Sequence, residues 1–510
     1  MKLISSCFRT LYLAFLFLAS LETGAAQDTQ KPDKSDSVLR ATTRLVVVDV
    51  VAVDDKGNPI TGLKAEDFTV LEEGKPQTIR DFSFQSPNAT PTALNMAPGV
   101  VTNAPQYGNT SSLNVILLDA INTDFSNRAY AQDLLIKYLE TSPHIQPTAV
   151  FALEGSLKLL HDFTTDTKAL RDVIANFKPA GPTHIDNVYA AASPFERRGT
   201  FAPTAQGRDA IFKAMTFLAN ALSGYPGRKN LIWLSDGFPL NLFPDAAMDG
   251  STVNIEDYSP IAERIADNLM NAQVALYPID AAGVSLNDRF PTLTAMRSMS
   301  DRTGGKTFYS RNDLDVGIRT SIDDGSTYYT MDYYPQNKTW DDKFRTIEVK
   351  VNRPGVHLRY RQGYFAQAPA KEPESAAKLF TLAMLLDAPP ATGVLFQAKA
   401  AAPSEKTGNK PVVNFGIDPR TIAFQRGADE SQHVSLTCAV WAFPSKGDPV
   451  RKENDVTANL KQDEYQQVMH SYFPCKTVLD LKPGHYTLRL GVIDRTTNLI
   501  GTTTTQITVP

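Results

Sequence analysis

Two kinds of hydrophobic pattern divide the chain. Residues 44–53 (Arg44-Leu45-Val46-Val47-Val48-Asp49-Val50-Val51-Ala52-Val53) form a long β-branched run, closed by the turn cluster Asp55-Lys56-Gly57-Asn58-Pro59. Residues 67–74 and 77–84 alternate apolar and polar, the pattern of half-buried strands. From residue 113 the pattern changes. Asn114–Asp119, Thr148–Leu153, Leu231–Asp236 and Val274–Asp280 are short apolar runs, with a further strand at Leu157–Leu160. Helical stretches are expected near 128–140, 167–177, 207–222, 261–271 and 291–302, and a last strand at Lys306–Tyr309. Continuous apolar strands alternating with helices imply a mostly parallel sheet covered on both faces.

After residue 326 the pattern is β again. Ser326–Tyr334, Phe344–Val351 and Val356–Arg361 read as strands. Neither this piece nor 42–85 is large enough to bury a core alone, so the two are expected to build one β-sandwich with the α/β domain inserted between them. The resulting division is a signal peptide at 1–26, a flexible leader at 27–41, half-sandwiches at 42–85 and 326–366, linkers at 86–112 and 367–376, the α/β domain at 113–325, and a β-rich domain at 377–510. The last domain ends in Tyr486–Ile493, the turn Asp494–Asn498 and Leu499–Val509, which resembles an immunoglobulin-like sandwich.

The N-terminus adds a compartment. Lys2 and Arg9 precede the apolar run Leu11–Ala19, and Gly24-Ala25-Ala26 offers a cleavage site. The run is too short for an ordinary span, and the expected product is exported, periplasmic or secreted, with no transmembrane segment after cleavage. Cys438 and Cys475 are the cysteines left after cleavage; a disulfide and two buried thiols both fit the sequence. The 510 residues, 42% hydrophobic and 21% charged, carry a formal charge of −4, and no basic stripe points to nucleic acid.

Candidate chemistry lies where the apolar strands end. Asp119 and Asp236 close two of them, at the edge where open α/β sheets bind ligands. With the hydroxyls nearby, two such carboxylates suit a divalent cation. Asp280 ends another strand and reads better as a loop-capping carboxylate. His161, His184 and His357 lack zinc spacing, Ser156 has no nucleophile elbow, and Gly304-Gly305 reads as a helix terminator. Tyr328, Tyr329, Tyr333 and Tyr334 read as sandwich core and rim.

The loop Asp119-Ala120-Ile121-Asn122-Thr123 resembles the first metal-binding loop of a von Willebrand factor A domain, Asp-x-Ser-x-Ser. The resemblance implies a doubly wound sheet and a metal-ion-dependent adhesion site made by Asp119, Thr123, Thr183 and Asp236. Ile121 occupies the first serine position and cannot ligate; Asn122 beside it carries an amide oxygen. Tyr277-Pro278-Ile279-Asp280-Ala281, Arg353-Pro354-Gly355-Val356 and Arg361-Gln362-Gly363-Tyr364-Phe365 extend the resemblance over about residues 40–366, to the VWFA-related proteins abundant in Acidobacteria. That likeness bears on the fold more than on the function, and the expected function is that of a non-enzymatic, adhesion-type protein that engages a protein partner. Mg²⁺, Mn²⁺ or Ca²⁺ would be held there, with its shell completed by a partner protein's carboxylate. The alternatives are a metal-free structural or assembly module of the cell envelope, in which both aspartates bond loop amides or cap helices, and a hydrolase, for which no nucleophile–base set is found.

Overall fold

The structure is a computed structural model. It describes residues 46–510 except 87–95, 106–111, 143–144, 180–204, 226, 237–258, 285–289, 310–312, 340, 342, 367–372, 387, 408–409 and 428–429. The expected signal peptide and leader, and the candidate residues Thr183 and His184, lie outside the described residues.

The chain opens with β1 (Val46–Val53), β2 (Phe68–Glu72), β3 (Lys75–Gln77) and β4 (Phe82–Gln85), followed by β5 (Val100–Thr102). The central unit holds β6 (Ser112–Asp119), α1 (Phe125–Thr141), β7 (Thr148–Leu153), β8 (Leu157–Thr164), α2 (Thr167–Asn176) and α3 (Ala205–Leu222). It continues with β9 (Arg228–Ser235), α4 (Ser259–Asn271), β10 (Val274–Asp280), α5 (Phe290–Thr303) and α6 (Leu314–Asp324). Next come β11 (Tyr328–Tyr333), β12 (Phe344–Val351), β13 (His357–Arg359) and β14 (Gly363–Phe365). The remainder holds α7 (Pro373–Ala383), β15 (Phe396–Ala401), β16 (Val412–Ile417), β17 (Gln425–Arg426), β18 (Gln432–Pro444), β19 (Val450–Leu460), α8 (Gln462–Met469), β20 (Phe473–Val478), β21 (Gly484–Asp494) and β22 (Ile500–Val509).

Strands on either side of the central unit pair with one another. One sheet runs β13-β1-β11-β4 and the other β14-β12-β2-β3. Val46, Val48 and Val50 of β1 meet Phe68, Val70, Tyr329, Met331 and Tyr333 in the core between these strands. The opposite face of β1 is buried too: Val51 and Val53 pack with Tyr328, and Asp49 accepts hydrogen bonds from Gln273 and Thr330. Burial on both faces accounts for the unbroken β-branched run that a half-exposed strand would not need.

The central sheet has the order β10-β9-β6-β7-β8. The first four strands are parallel, and β8 returns antiparallel to β7. Successive side chains on a strand point to opposite faces. Val115, Leu117, Leu231 and Trp233 therefore meet α3, α4 and α5 on one side. Ile116, Leu118, Ile232 and Leu234 meet α1, α2 and α6 on the other. Helix α6 was not expected from the sequence, although Leu314, Ile318 and Ile322 recur at the four-residue spacing of a buried helix stripe. The strand expected at 306–309 is reduced to one bridge, Phe308 to Ile279.

Two further corrections concern the linkers. Within 86–112, Val100–Thr102 forms a strand against β15, because these β-branched residues meet an open sheet edge. Within 367–376 the helix α7 begins at Pro373 and runs on into the region expected to be β. Its residues Phe380 and Ala383, with Met384 just after its end, fill a cluster with Trp441, Ile493, and Phe217 and Ala221 of α3. The C-terminal sheets, β20-β16-β15-β5 and β17-β18-β21-β22 with β19 on β18, face each other across one core. A Cys438–Cys475 disulfide joins β18 to β20, and so joins the two sheets. Gly224 fixes how closely α3 approaches this domain: a Cβ there would lie 1.7 Å from the Thr392 carbonyl oxygen.

Candidate functional site

Strand register builds the site. Leu117 pairs with Trp233 and Leu118 with Leu234. Asp119 thus emerges beside Ser235 and shares a sheet face with Trp233 and Ser235. All three are buried, Asp119 to 1% exposure. Asp119 Oδ1 accepts from the backbone N–H groups of Ile121 (3.2 Å) and Asn122 (3.0 Å) and from Asn122 Nδ2 (3.2 Å). Its Oδ2 accepts from Asn122 Nδ2 (3.0 Å), Trp233 Nε1 (3.1 Å) and Ser235 Oγ (3.0 Å). Burial pushes the Asp119 carboxyl above the usual range, while the bonds from Asn122, Ser235 and Trp233 pull it back.

The loop then turns Ile121 inward, against the apolar layer containing Trp233. Thr123 is buried, and its hydroxyl meets no hydrogen-bond partner among the described residues. Asp124 caps α1 by accepting from Ser126 N at 2.8 Å. Its own N–H donates to Asp236 Oδ2 (2.8 Å), which also accepts from Asn127 Nδ2 (3.0 Å). Asp236 therefore ties the end of β9 to the first turn of α1. Asp280 accepts from Ala282 N at 3.1 Å, closing its own loop.

Asp119, Asn122, Thr123 and Asp236 are thus gathered at the carboxyl edge of β6 and β9. Trp233, Ser235 and Asn127 were not singled out from the sequence. Their signals were modest: Trp233 and Ser235 follow from two-residue parity on β9, and Asn127 from its place in the first turn of α1.

The donor set divides on whether it suits a divalent ion. A carboxylate has about four lone-pair sites. Those of Asp119 are taken by protein donors, so Asp119 does not fit as a ligand. Asn122 points its amide nitrogen at Asp119, and Ile121 is committed to the apolar layer. Thr123 and Asp236 remain chemically suited to a hard cation. Among the described residues, no three His, Cys, Asp or Glu side chains form a group able to hold a metal. None of the described helices is long and apolar enough to cross a membrane.

No family model and no curated protein matches the chain. Solved structures do. An aerotolerance-related membrane protein from Bacteroides fragilis is 12% identical, with 42% of this chain and 98% of that chain covered and a TM-score of 0.25. A von Willebrand factor type A protein from Catenulispora acidiphila is 11% identical, with 85% and 74% covered and a TM-score of 0.24. The vWF domain of the type V pili tip protein Mfa5 from Porphyromonas gingivalis is 12% identical, with 41% and 96% covered and a TM-score of 0.26. Likeness at this level says nothing about the site. The strand order and the helices on both faces belong to this chain itself, and they make its central unit a doubly wound α/β domain that resembles the A-type domains of these structures.

Proposed function

We propose that the chain is an exported, non-enzymatic protein-binding module that meets its partner at the carboxyl edge of the A-type sheet, and that this edge is held in shape without an ion. The observation that carries the reading is the Asp119 carboxylate, whose two oxygens are filled by the loop, Trp233 and Ser235. A carboxylate so engaged serves neither as a metal ligand nor as an acid–base group. Around it the edge offers apolar surface: Phe125 is 65% exposed at the start of α1, and Val284 is 61% exposed after β10. The same reading takes 42–85 and 326–366 as halves of one sandwich interrupted by the A-type domain. Deleting 42–85 should then open 326–366 to proteolysis; a protected segment would count against the interruption.

One specific observation favours a second reading. The Thr123 hydroxyl is buried without a partner among the described residues. With Asp236 and Thr183 it would suit Mg²⁺, Mn²⁺ or Ca²⁺, completed by a carboxylate of the partner. A single experiment separates the two. The mature protein is melted with each ion at millimolar concentration, and used as bait for envelope extract with and without EDTA. The ion-free reading expects no rise in melting temperature, capture insensitive to EDTA, and capture lost in Phe125→Asp. A rise that disappears in Asp236→Ala supports the cation reading instead, because an ion that binds the native state raises its stability. Capture unchanged by Phe125→Asp sinks the assignment of this edge.

A further inference from the structure

A cavity of about 200 Å³ lies between the A-type domain and the C-terminal sandwich. Phe151, Leu159, Asp162, Phe163 and Tyr225 line it from the first, and Asn103, Pro390 and Thr392 from the second. We propose that it binds a small organic amine, with a compact apolar or aromatic body seated against Phe163 and Tyr225 and an ammonium group directed at Asp162. Sites of this kind favour domain boundaries. The volume exceeds that of cavities known to take benzene, about 150 Å³, and falls below drug-sized pockets, so the occupant has roughly ten non-hydrogen atoms.

The chemistry of the walls selects the class. Phe163 and Tyr225 form a tilted pair with centroids 4.9 Å apart, which presents an aromatic surface. Most lining polar groups are already spent. Asn103 Nδ2 donates to the carbonyls of Ala391 and Val394, and its Oδ1 accepts from Phe396 N. The Thr392 hydroxyl donates to Ala221 O and accepts from Gly224 N. Thr102 and Thr503 hydroxyls donate to backbone carbonyls. Two groups remain. Asp162, exposed at the mouth, uses Oδ1 for Phe163 N at 2.7 Å, and no bond to its Oδ2 is made among the described residues. The Tyr225 hydroxyl makes none there either. No lining residue is cationic, so nothing favours an anion. A carboxylate beside an aromatic wall favours a cation through both charge and the ring face.

The test is calorimetry on the full mature chain with 2-phenylethylamine, 2-phenylethanol and 3-phenylpropionate. The amine should bind, the alcohol about tenfold more weakly, and the carboxylate not at all, as one charge-assisted hydrogen bond requires. Asp162→Asn, a change at an exposed position, should weaken the amine about tenfold and leave the alcohol unchanged. Leu159→Trp should fill the space and abolish both, with the circular dichroism spectrum retained as evidence of folding. No amine binding at millimolar concentration, equal binding of the carboxylate, or an Asp162→Asn variant that binds as well as the parent would each overturn the proposal.

Discussion

Replacing Asp119 with alanine gives the sharpest test of the strand-end network. The substitution removes one acceptor and strands several donors at once: the N–H groups of Ile121 and Asn122, the Asn122 amide, the Trp233 indole and the Ser235 hydroxyl. The hydroxyl can rotate to another acceptor. The indole and the Asn122 amide are fixed by packing, and each buried unsatisfied donor costs about 1–3 kcal/mol. Against this, alanine relieves the desolvation that raises the Asp119 carboxyl. The expected net loss is about 3–5 kcal/mol, the range for breaking a buried charged contact by removing one partner. For a domain of this size that lowers the melting temperature by roughly 10 °C. Denaturation followed by tryptophan fluorescence reads the effect. The pH profile gives a second readout. A carboxyl whose folded pKa lies above its unfolded value contributes stability that is complete below the unfolded pKa and disappears as pH rises through the folded one. The parent should therefore lose stability with rising pH through that acid window, and Asp119→Ala should lack that component. A variant within 0.5 kcal/mol of the parent would refute the idea that Asp119 organises the edge.

Two other substitutions test parts of the fold away from the site. Lys229 is fully buried, donates to the Tyr225 carbonyl at 2.7 Å, and is pulled down to about 7 by burial, with Asp49 opposing. Its folded pKa lies below the unfolded 10.5, so the unfolded chain binds more protons between about 7 and 10.5 and stability rises with pH there. The cost of burying the ammonium is complete below that window, where both states carry the proton, about 5 kcal/mol at about 1.4 kcal/mol per pH unit. Lys229→Met should be more stable at neutral pH and flatten the slope between pH 7 and 10; an unchanged slope would refute the assignment. Removing the Cys438–Cys475 bridge, which spans 37 residues, should cost about 4 kcal/mol through added freedom of the unfolded chain. Urea unfolding of Cys438→Ala/Cys475→Ala measures it, and a midpoint equal to the parent's would show that the bridge constrains nothing.

The central sheet was legible because burial on both faces leaves a simple mark, the apolar run. Four parallel strands and five helices could be read from such runs and from helical spacing. Helix α6 was missed because only Leu314, Ile318 and Ile322 carry its buried stripe through a polar stretch. Strand β5 and helix α7 were missed for another reason. Both sit in segments of linker-like composition, and their order comes from partners nearly 300 or over 100 residues away: β15 for the first, α3 and β21 for the second. Composition reports what a segment can bury alone, not what a distant edge will accept from it.

At the candidate site the positions of Asp119 and Asp236 were legible, but their partners were not. A strand end fixes where a carboxylate starts; which atoms fill it depends on side chains arriving from β9 and α1. Here the substitutions in the first loop act together. Ile121 puts an apolar side chain where the resembling loops carry a hydroxyl, and that side chain packs, partly buried, against the layer containing Trp233. Asn122 then brings an amide N–H to both oxygens of Asp119, and Trp233 brings another from across the sheet. In sequence, Ile121 reads as a single defect in a metal loop, with Asn122 as a possible repair. In three dimensions the two residues serve one arrangement, with Ile121 set against the apolar layer and Asn122 donating to the charge of Asp119. Thr123 and Asp236 take no part in this donor set: the Thr123 hydroxyl meets no partner among the described residues, and Asp236 Oδ2 accepts instead from Asp124 N and Asn127 Nδ2.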